Sequence, residues 1–367
     1  MPLEEIINRQ GIIISAPASG AGKTTVTLGL INAFARKGSV QPFKSGPDYI
    51  DSKFQSVAAD RPSYNLDTWA MSSSDILNMI GMVGPSDICI AEGSMGLFDG
   101  VISKGAGGNG STADLASITN WPVILVVDCA KQAQSVAALI AGFNSFRHDI
   151  TIGGIILNNI SSKRHEALVV SEVSKTKVPI LGVIPRSNEL TIPERHLGLV
   201  QAEDLSDLEQ LIFKLGTLIE ENCDLEAIAC TARNSFPPIS TLQKITPPAQ
   251  RIAIARDNAF TFTYSHLIEG WKKQGAEISF FSPLNDEPPS NSDDMVWLPG
   301  GYPELYLGRL SECKNFKNGL IDFSKKRPVH GECGGYMVLG RKIIGKSGQA
   351  YDMIGMFDLV TSFEKRK

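Results

Sequence analysis

A glycine-rich turn between the first predicted strand and the first predicted helix limits the fold more than any other feature of the sequence. The strand is the apolar run from Gly11 to Ser15, the turn reads APASGAG, and apolar residues at helical spacing run from Thr24 to Arg36. Backbone N–H groups at a helix N-terminus bind anions, and glycine lets the backbone approach a phosphate closely. The order of strand, glycine-rich turn and helix therefore predicts a nucleotide-binding α/β domain.

The residues of this turn supply the groups that bind ATP in a phosphate loop. Lys23 can reach the β- and γ-phosphates, and the hydroxyl of Thr24 is placed for Mg²⁺. Pro17 stands where the common motif has its first glycine, and the alternative interpretation is a turn that only caps a helix. The predicted ATP-binding residues of the loop are Gly20, Ala21, Gly22, Lys23, Thr24 and Thr25.

The pattern of the whole chain predicts two α/β domains. Short apolar runs alternate with helical patterns along the first two-thirds, which is typical of a parallel sheet covered on both faces. The length of 367 residues exceeds one ordinary core. Residues 232–250 contain four prolines and no sustained hydrophobic period, which predicts a linker. We therefore predict a first domain at 1–231 and a second α/β domain at 251–367.

Composition argues against several classes of protein. The formal charge is −4, with both signs interspersed, and no basic block in the sequence suggests a nucleic-acid partner. No apolar run reaches the roughly 18 residues of a membrane span, and the acidic start MPLEEIINRQ lacks the apolar core of a signal peptide. The six cysteines are scattered, as is typical of reduced thiols. We expect a cytoplasmic protein with no nucleic-acid or membrane partner.

Two acidic segments follow predicted strands of the first domain. KSGPDYID contains Asp48 and Asp51, and EGSMGLFDG contains Glu92 and Asp99. Open α/β sheets bind ligands beyond the carboxyl ends of their strands, and carboxylates beside a phosphate loop can hold Mg²⁺. We predict Thr24, Asp48 and Glu92 as metal ligands, and Asp48, Asp51 and Asp99 as catalytic residues. Asp51 and Asp99 could orient the acceptor group or hold a second metal. The alternative is turn chemistry, since Gly-Pro-Asp and Phe-Asp-Gly are both good turns.

Four further features lie at the same predicted end of the sheet. Lys44 and Tyr49 are predicted to contact the substrate, although Lys44 also fits a solvated lysine at a strand end. Asn158 follows a strand where adenine is often recognised, and we add it to the predicted ATP-binding residues. The loop GAGGNG at 105–110 fits either a substrate lid or a plain surface loop.

A second chemical signal lies near the end of the chain. RPVHGECGGY predicts a strand, a tight turn and a helix, which places Cys333 at a helix N-terminus where the dipole favours a nucleophilic thiolate. Backbone N–H groups of Gly301 and Gly334 are predicted to stabilise an oxyanion. The alternative is a plain buried cysteine. None of the five histidines follows Cys333, and we interpret His330, three residues before it, as a packing residue.

Six segments in order resemble the cobyrinic acid or hydrogenobyrinic acid a,c-diamide synthase family: SAPASGAGKTT, KSGPDYID, AEGSMGLFDG, PERHLGL, PGGYPE and HGECGGY. The resemblance spans essentially the whole chain. It implies a P-loop synthetase domain similar to dethiobiotin synthetase, followed by a flavodoxin-like class I glutamine amidotransferase domain. By position, Thr24, Asp48 and Glu92 match the family's metal and phosphate region. Asp51 and Asp99 match its substrate-site acids, and Cys333 matches its glutamine nucleophile.

The resemblance also implies a reaction. ATP phosphorylates carboxylates of a corrinoid, ammonia displaces phosphate, and the a and c side chains become amides. ATP is then a co-substrate, Mg²⁺ a cofactor, and a corrinoid tetrapyrrole the substrate. Family members continue beyond Lys367 with strands that carry a catalytic histidine and glutamate. We therefore expect an amidotransferase domain that is incomplete at its C-terminus, and both glutamine and ammonia stay open as nitrogen donors.

Several alternatives stay open at this point. Cobyric acid synthase and nickel-sirohydrochlorin diamide synthase are relatives that amidate other tetrapyrroles or other side chains. A partitioning ATPase of the same fold would leave Cys333 unexplained, and an inactive remnant would keep the fold without activity. The sequence leaves open the metal in the macrocycle, the order of the two amidations and the oligomeric state, for which we consider a homodimer.

Overall fold

The computed structural model describes residues 9–187, 194–195, 198–199, 207–235 and 245–364. The chain divides into two compact units, residues 1–243 and 244–367. Each unit combines a parallel sheet with helices, which confirms the predicted α/β class.

Unit 1 is built on a sheet whose seven parallel strands run in the order β3-β2-β4-β1-β5-β6-β7. Its strands are β1 (Arg9–Ser15), β2 (Val40–Ser45), β3 (Tyr64–Leu66), β4 (Ile88–Glu92), β5 (Val123–Asp128), β6 (Ile152–Ile160), β7 (Ile180–Pro185) and the short β8 (Glu194–Arg195), β9 (Gly198–Leu199) and β10 (Arg233–Ser235). Its helices are α1 (Lys23–Ala35), α2 (Ile50–Ala59), α3 (Ser73–Met82), α4 (Thr112–Thr119), α5 (Val136–Phe146), α6 (Lys163–Val173), α7 (Leu208–Asn222) and α8 (Leu225–Thr231).

The central strands of unit 1 are buried along their apolar stretches. Ile12, Ile13 and Ile14 of β1 and Val123 to Val127 of β5 have no solvent exposure. Such continuous apolar strands form because helices cover both faces of a parallel sheet. The polar ends of these strands leave the core at its carboxyl edge, where a ligand site is expected.

The start of the predicted linker is corrected by the structure. Arg233–Ser235 forms β10, which pairs antiparallel with Arg9–Gly11 of β1, so these residues belong to the sheet of unit 1. Residues 236–244 of the predicted linker lie outside the described residues. The same holds for His196 in the segment PERHLGL, of which only the backbone pairing of β8 with β9 is described.

Unit 2 has a four-stranded parallel sheet in the order β12-β11-β13-β14 and a separate three-stranded sheet in the order β16-β15-β17. Its strands are β11 (Arg251–Ala255), β12 (Glu277–Phe281), β13 (Met295–Leu298), β14 (Val329–Gly331), β15 (Gly340–Ile344), β16 (Ala350–Asp352) and β17 (Phe357–Ser362). Its helices are α9 (Ser265–Lys273), α10 (Leu307–Glu312), α11 (Lys314–Ser324) and α12 (Gly334–Leu339).

Candidate active site

Strand register brings the predicted acid Glu92 next to the phosphate loop. Glu92, the last residue of β4, pairs with Ile14 of β1 on one side and with Lys44 of β2 on the other. The phosphate loop leaves β1 directly after Ser15. The topology therefore places a carboxylate and two lysines, Lys23 and Lys44, at one point of the sheet's carboxyl edge.

The Glu92 carboxylate is the centre of this cluster and is fully buried. Its Oε1 accepts hydrogen bonds from the hydroxyl of Thr24 at 2.7 Å and the ammonium of Lys23 at 3.1 Å. The ammonium of Lys44 lies 3.2 Å from the same oxygen. The Oε2 atom accepts a hydrogen bond from the side-chain amide of Gln55 at 2.8 Å. One carboxylate thus binds the phosphate loop, β2 and α2.

The charges of this cluster shift one another's pKa values. Burial alone would raise the pKa of Glu92, but Lys44, Lys23 and the hydrogen bond from Thr24 outweigh it and lower the pKa to about 2. Burial would lower the pKa of Lys44, yet the carboxylates of Asp51, Glu92 and Asp48 raise it. Glu92 is therefore ionised and Lys44 protonated at neutral pH.

Lys44 and Asp51 form a buried ion pair, in which the Lys44 ammonium donates to Oδ2 of Asp51. Burial raises the pKa of Asp51 to about 6, against the attraction of Lys44. Lys44 is only 2% exposed, so the alternative of a solvated lysine is wrong. Because Lys44 contacts two carboxylates, its position favours a role as an internal counter-ion over the predicted contact with substrate.

Asp48 and Tyr49 lie at the start of α2. Oδ1 of Asp48 accepts hydrogen bonds from the N–H groups of Ile50 and Asp51, at 2.8 and 3.0 Å. Tyr49 is the half-buried residue that precedes the first residue of the helix. One oxygen of Asp48 therefore caps the helix, as the alternative interpretation expected, and its second oxygen is the one that could take part in binding a cation.

Asp99 shapes the loop that follows Glu92. Its Oδ2 accepts a hydrogen bond from the N–H of Gly96 at 2.9 Å, and the residue is exposed. The N–H of Leu97 donates to the carbonyl of Ala16 at 2.8 Å, which attaches this loop to the phosphate loop. A Cβ at Gly96 would lie only 2.7 Å from the carbonyl oxygen of Pro17, so this close approach requires glycine.

The phosphate loop is held from β6 as well. The side-chain amide of Asn158 donates to the carbonyl of Ala21 at 3.0 Å. Gly22 has φ of 84°, a conformation that favours glycine, and it precedes the first residue of α1. A cavity beside the loop has both polar and apolar walls, to which Gly20, Gly22, Thr25, Asn158, Asn159, Pro185 and Leu218 contribute. The predicted ATP-binding residues Thr25 and Asn158 thus line one cavity.

The glycine-rich loop 105–110 is packed against the chain that follows β3. The N–H of Ala106 donates to the carbonyl of Trp69 at 2.8 Å, and the N–H of Gly107 donates to the carbonyl of Thr68 at 2.9 Å. A Cβ at Gly105 would lie 1.9 Å from the carbonyl oxygen of Trp69. The glycines therefore serve close backbone packing, which favours the surface loop over the lid.

Two polar residues of this site were missed by the sequence reasoning. Gln55 and Ser63 are 0% and 3% exposed, and the hydroxyl of Ser63 donates to Oε1 of Gln55 at 2.8 Å. The local sequence gives little signal, because Gln55 stands among the mixed polar and apolar residues of α2. That signal does not predict its contact with Glu92, 37 residues further along the chain.

Unit 2 places Cys333 on a tight turn between β14 and α12. Cys333 is exposed and has φ of 47° and ψ of −116°, so a non-glycine residue adopts a backbone conformation that L-residues rarely take. The turn also needs small neighbours, because a Cβ at Gly335 would lie 2.1 Å from the carbonyl oxygen of Leu298. An exposed thiol on a strained turn at a helix N-terminus is an arrangement that suits a nucleophile. The alternative of a buried cysteine is wrong.

The predicted oxyanion glycines lie against this turn. A Cβ built on Gly334 would be 3.3 Å from the backbone nitrogen of Gly301, and a Cβ on Gly300 would be 2.9 Å from Cβ of Cys333. His330 packs against Trp297 with 4.1 Å between ring centroids and the ring planes tilted by 45°. Its Nε2 lies 3.8 Å from Oε2 of Glu332. This packing agrees with the interpretation of His330 as a packing residue.

Comparison with known proteins relates both units to described families. Residues 12–200 match the CobQ/CobB/MinD/ParA nucleotide binding domain, and residues 251–367 match the CobB/CobQ-like glutamine amidotransferase domain. Hydrogenobyrinate a,c-diamide synthase of Rhodobacter capsulatus is 47% identical over 359 residues, which cover 98% of this chain and 82% of the relative. The enzyme of the same name from Brucella anthropi is 46% identical over 364 residues, with 98% and 83% covered. That from a Sinorhizobium species is 47% identical over 362 residues, with 97% and 82% covered.

Within the part of the chain that the structure describes, no helix combines the length and the apolar character that crossing a membrane requires.

Proposed function

The chain belongs to the hydrogenobyrinate a,c-diamide synthase family, and from this we propose that it amidates the a and c side-chain carboxylates of hydrogenobyrinate in cobalamin biosynthesis. The resemblance given by the six motifs is confirmed, and the chain is an amide-forming ligase with a nucleotide-binding domain and an amidotransferase domain. The shared activity of these relatives, hydrogenobyrinate a,c-diamide synthase, favours a metal-free macrocycle over cobyrinic acid and over a nickel tetrapyrrole.

The observation that carries the proposed chemistry is the contact of Glu92 with Lys23 and Thr24. A carboxylate does not react with ammonia at neutral pH because it lacks a leaving group. We infer that a substrate carboxylate oxygen attacks the γ-phosphorus of ATP and ADP leaves. Ammonia then adds to the acyl carbon of the resulting acyl phosphate, inorganic phosphate departs and a proton is lost. Lys23 would stabilise the negative charge that develops on the transferred phosphoryl group.

A magnesium ion fits the residues at this point. Mg²⁺ prefers oxygen ligands and is commonly held by one or two protein groups together with phosphates and water. The hydroxyl of Thr24 and the carboxylate of Glu92 are 2.7 Å apart, which provides such a pair. Among the described residues no group of three or more His, Cys, Asp or Glu side chains could hold a metal, so the phosphates of ATP would complete the coordination. When bound, Mg²⁺ would neutralise charge on the phosphates.

The positions of the other predicted site residues support more limited roles in the reaction. Asp48 would offer the carboxylate oxygen that does not cap α2 to the cation or to its water shell. Asp51 would hold Lys44 in its buried position. Asp99, on the loop after Glu92, and Tyr49, at the start of α2, would orient the acceptor carboxylate. Asn158 would recognise the nucleotide while anchoring the phosphate loop. Use of ATP also fits the cytoplasmic location expected from the sequence.

In unit 2, Cys333 would attack the side-chain amide of glutamine and form a thioester as ammonia leaves. The N–H groups of Gly301 and Gly334 would stabilise the oxyanion of that step. The chain spans a little over four-fifths of its relatives' length, so the nitrogen donor is best determined by direct comparison of glutamine and ammonium.

The test is mass spectrometry of hydrogenobyrinic acid incubated with the protein, ATP and Mg²⁺, with ammonium in one series and glutamine in the other. Each amidation replaces a hydroxyl group by an amino group and lowers the mass by about one dalton, while released phosphate gives an independent count. Two amidations with ammonium support the proposed synthetase site, and glutamine-dependent product supports the part given to Cys333. A folded, ATP-binding sample that gives no product with either donor would support an inactive remnant instead.

A further inference from the structure

The two oxygens of Glu92 have different partners. Oε1 is bonded by Thr24, Lys23 and Lys44, whereas Gln55 is the donor to Oε2 among the described residues. All of Glu92 is buried, so an Oε2 without a partner would carry the full penalty of an unsatisfied buried acceptor. Gln55 therefore satisfies the second oxygen of the carboxylate while Oε1 faces the phosphate loop.

The orientation of the Gln55 amide is set by chemistry. A carboxylate only accepts hydrogen bonds, so the NH₂ end of Gln55 must face Glu92. The oxygen end then accepts the hydroxyl of Ser63 at 2.8 Å. A chain of hydrogen bonds runs from Ser63, just before β3, through Gln55 to Glu92 beside the phosphate loop. All three side chains are buried. The flipped orientation of the Gln55 amide is excluded, because it would place the amide oxygen against the Glu92 carboxylate with no donor between the two acceptors.

We propose that Gln55, supported by Ser63, is a positioning residue that holds the Glu92 carboxylate for the divalent cation that accompanies ATP. The torsion that rotates a glutamate carboxylate is broad, so packing alone specifies it poorly. Partners that orient a metal ligand typically affect metal affinity or activity by about 10- to 100-fold. This inference rests on the proposed function only in assuming that Mg²⁺–ATP binds at the phosphate loop. It does not depend on the identity of the macrocycle, because the side-chain partners of Gln55 are Glu92 and Ser63.

The experiment measures the Mg²⁺ concentration needed for half-maximal binding of a non-hydrolysable ATP analogue, by isothermal titration calorimetry on the purified chain. Gln55→Leu removes both hydrogen bonds at nearly constant volume, and we expect the required Mg²⁺ concentration to rise about 10- to 100-fold. Binding of the analogue in the presence of EDTA should not change. The kcat of the ammonium-dependent reaction should fall in parallel, with an unchanged KM for the macrocycle.

Two further variants test the geometry. Gln55→His keeps an N–H donor at a similar reach and should restore most of the Mg²⁺ affinity. Ser63→Ala leaves Gln55 in place but removes its support, so it should shift the Mg²⁺ requirement in the same direction by a smaller factor. These two variants also carry the test if Gln55→Leu does not fold.

The matched control is Gln41→Leu. Gln41 is 1% exposed and lies in β2, and its amide donates to the carbonyls of Pro42 and Pro62, with no contact to Glu92. Loss of a buried amide there should lower stability without moving the Mg²⁺ requirement. Equal shifts in Gln41→Leu and Gln55→Leu would reduce Gln55 to a structural residue and overturn the inference.

The remaining outcomes separate this inference from the proposed function. A wild-type protein whose nucleotide affinity is independent of Mg²⁺, or a Gln55→Leu variant with wild-type Mg²⁺ dependence, would overturn the inference. If the Gln55→Leu shift appears but hydrogenobyrinic acid is not amidated, the positioning inference stands and the proposed substrate is wrong.

Discussion

The side-chain amide nitrogen of Asn158 lies 3.0 Å from the carbonyl oxygen of Ala21, to which it donates, and 2.3 Å from the point where a Cβ on Gly22 would be. The phosphate loop is therefore closed against β6 with no space for a methyl group. Glycine is required at position 22 for two reasons. Its φ is 84°, and a Cβ there would collide with the side-chain amide of Asn158.

We predict that Gly22→Ala lowers the free energy of unfolding of unit 1 by about 2–4 kcal/mol, from backbone strain together with the displaced Asn158 bond. Gly20→Ala is the control, because Gly20 has φ of 80° but open space around its Cβ. It should cost about 1–2 kcal/mol. Urea denaturation measures both. Equal losses for the two variants would show that Asn158 moves aside freely.

Removal of the Lys44 charge should strongly destabilise unit 1. Lys44→Met leaves the buried carboxylate of Asp51 without its counter-ion and removes one of the two lysines that contact Glu92. Breaking such a buried pair typically costs about 3–5 kcal/mol. The deficit should shrink as the pH falls, because the two carboxylates then take up protons. The control is Lys175→Met, since Lys175 pairs with Glu172 on the surface and should change stability by less than about 1 kcal/mol. A pH-independent deficit would contradict the electrostatic explanation.

Lys23→Ala should abolish ATP-dependent amidation while leaving the protein folded. The Lys23 ammonium is the group of the phosphate loop that can reach the transferred phosphoryl, and no other lysine of the loop can replace it. Phosphate release and product mass are the measurements. Lys37→Ala is the control, because Lys37 lies at the other end of α1 with an exposed side chain. Turnover retained in Lys23→Ala would disprove the ATP site.

Cys333→Ser should remove glutamine-dependent amidation and leave ammonium-dependent amidation unchanged, because in the proposed function the thiolate serves only the release of ammonia from glutamine. The two assays are run on the same preparation with equal ATP. Cys230→Ser is the control, since Cys230 is an exposed cysteine of unit 1 and neither activity should change. An equal loss of both activities in Cys333→Ser would point to a structural part for this residue.

Unit 2 should lose stability as the pH falls through the titration of His266. Burial lowers the pKa of His266 to about 4, and its Nδ1 has no hydrogen-bond partner among the described residues. An unfolded histidine titrates near pH 6.5, so the unfolded state binds more protons between these values. Stability is therefore fully present above about pH 6.5 and decreases by up to about 3 kcal/mol as the pH falls towards 4.

The His266→Gln variant should flatten this pH dependence, as measured by urea denaturation of unit 2 between pH 4 and 7. His148→Gln is the matched control, since His148 is exposed in unit 1 and its replacement should leave the slope unchanged. A slope that survives in His266→Gln would assign the pH dependence to other groups.

The parts of the site that could be predicted from sequence are those with a local signal. The glycine-rich turn, Glu92 at a strand end and Cys333 in a strand-turn-helix segment each need only a few neighbouring residues. Gln55 could not be predicted, because its partner Glu92 is on β4 and the contact depends on β4 lying beside β2. Ser63 could not be predicted either, because it reaches the site only through its hydrogen bond to Gln55.

The burial of Lys44 and the pairing of the C-terminal strands could not be predicted for the same reason, because both depend on residues that are distant in the sequence. A lysine at a strand end is usually solvated, but here its cross-strand neighbour is a buried carboxylate. The strands β15 and β17 are short and mix apolar with polar residues, with a register shift between Gly340 and Lys342, so their periodicity is weak. β10 lies in a segment whose prolines indicate a linker, although its own three residues pair with β1.

The left-handed backbone of Cys333 also bears on how this protein can change over generations. The amino acid that this turn tolerates best is glycine, and replacing cysteine by glycine would relieve roughly 1–2 kcal/mol of strain. A lineage that drew its nitrogen only from free ammonia would gain stability from that single substitution. Drift and selection for a robust fold would then act together to erase the thiol. Under the proposed function, cysteine at this position is therefore kept in place against a cost in stability.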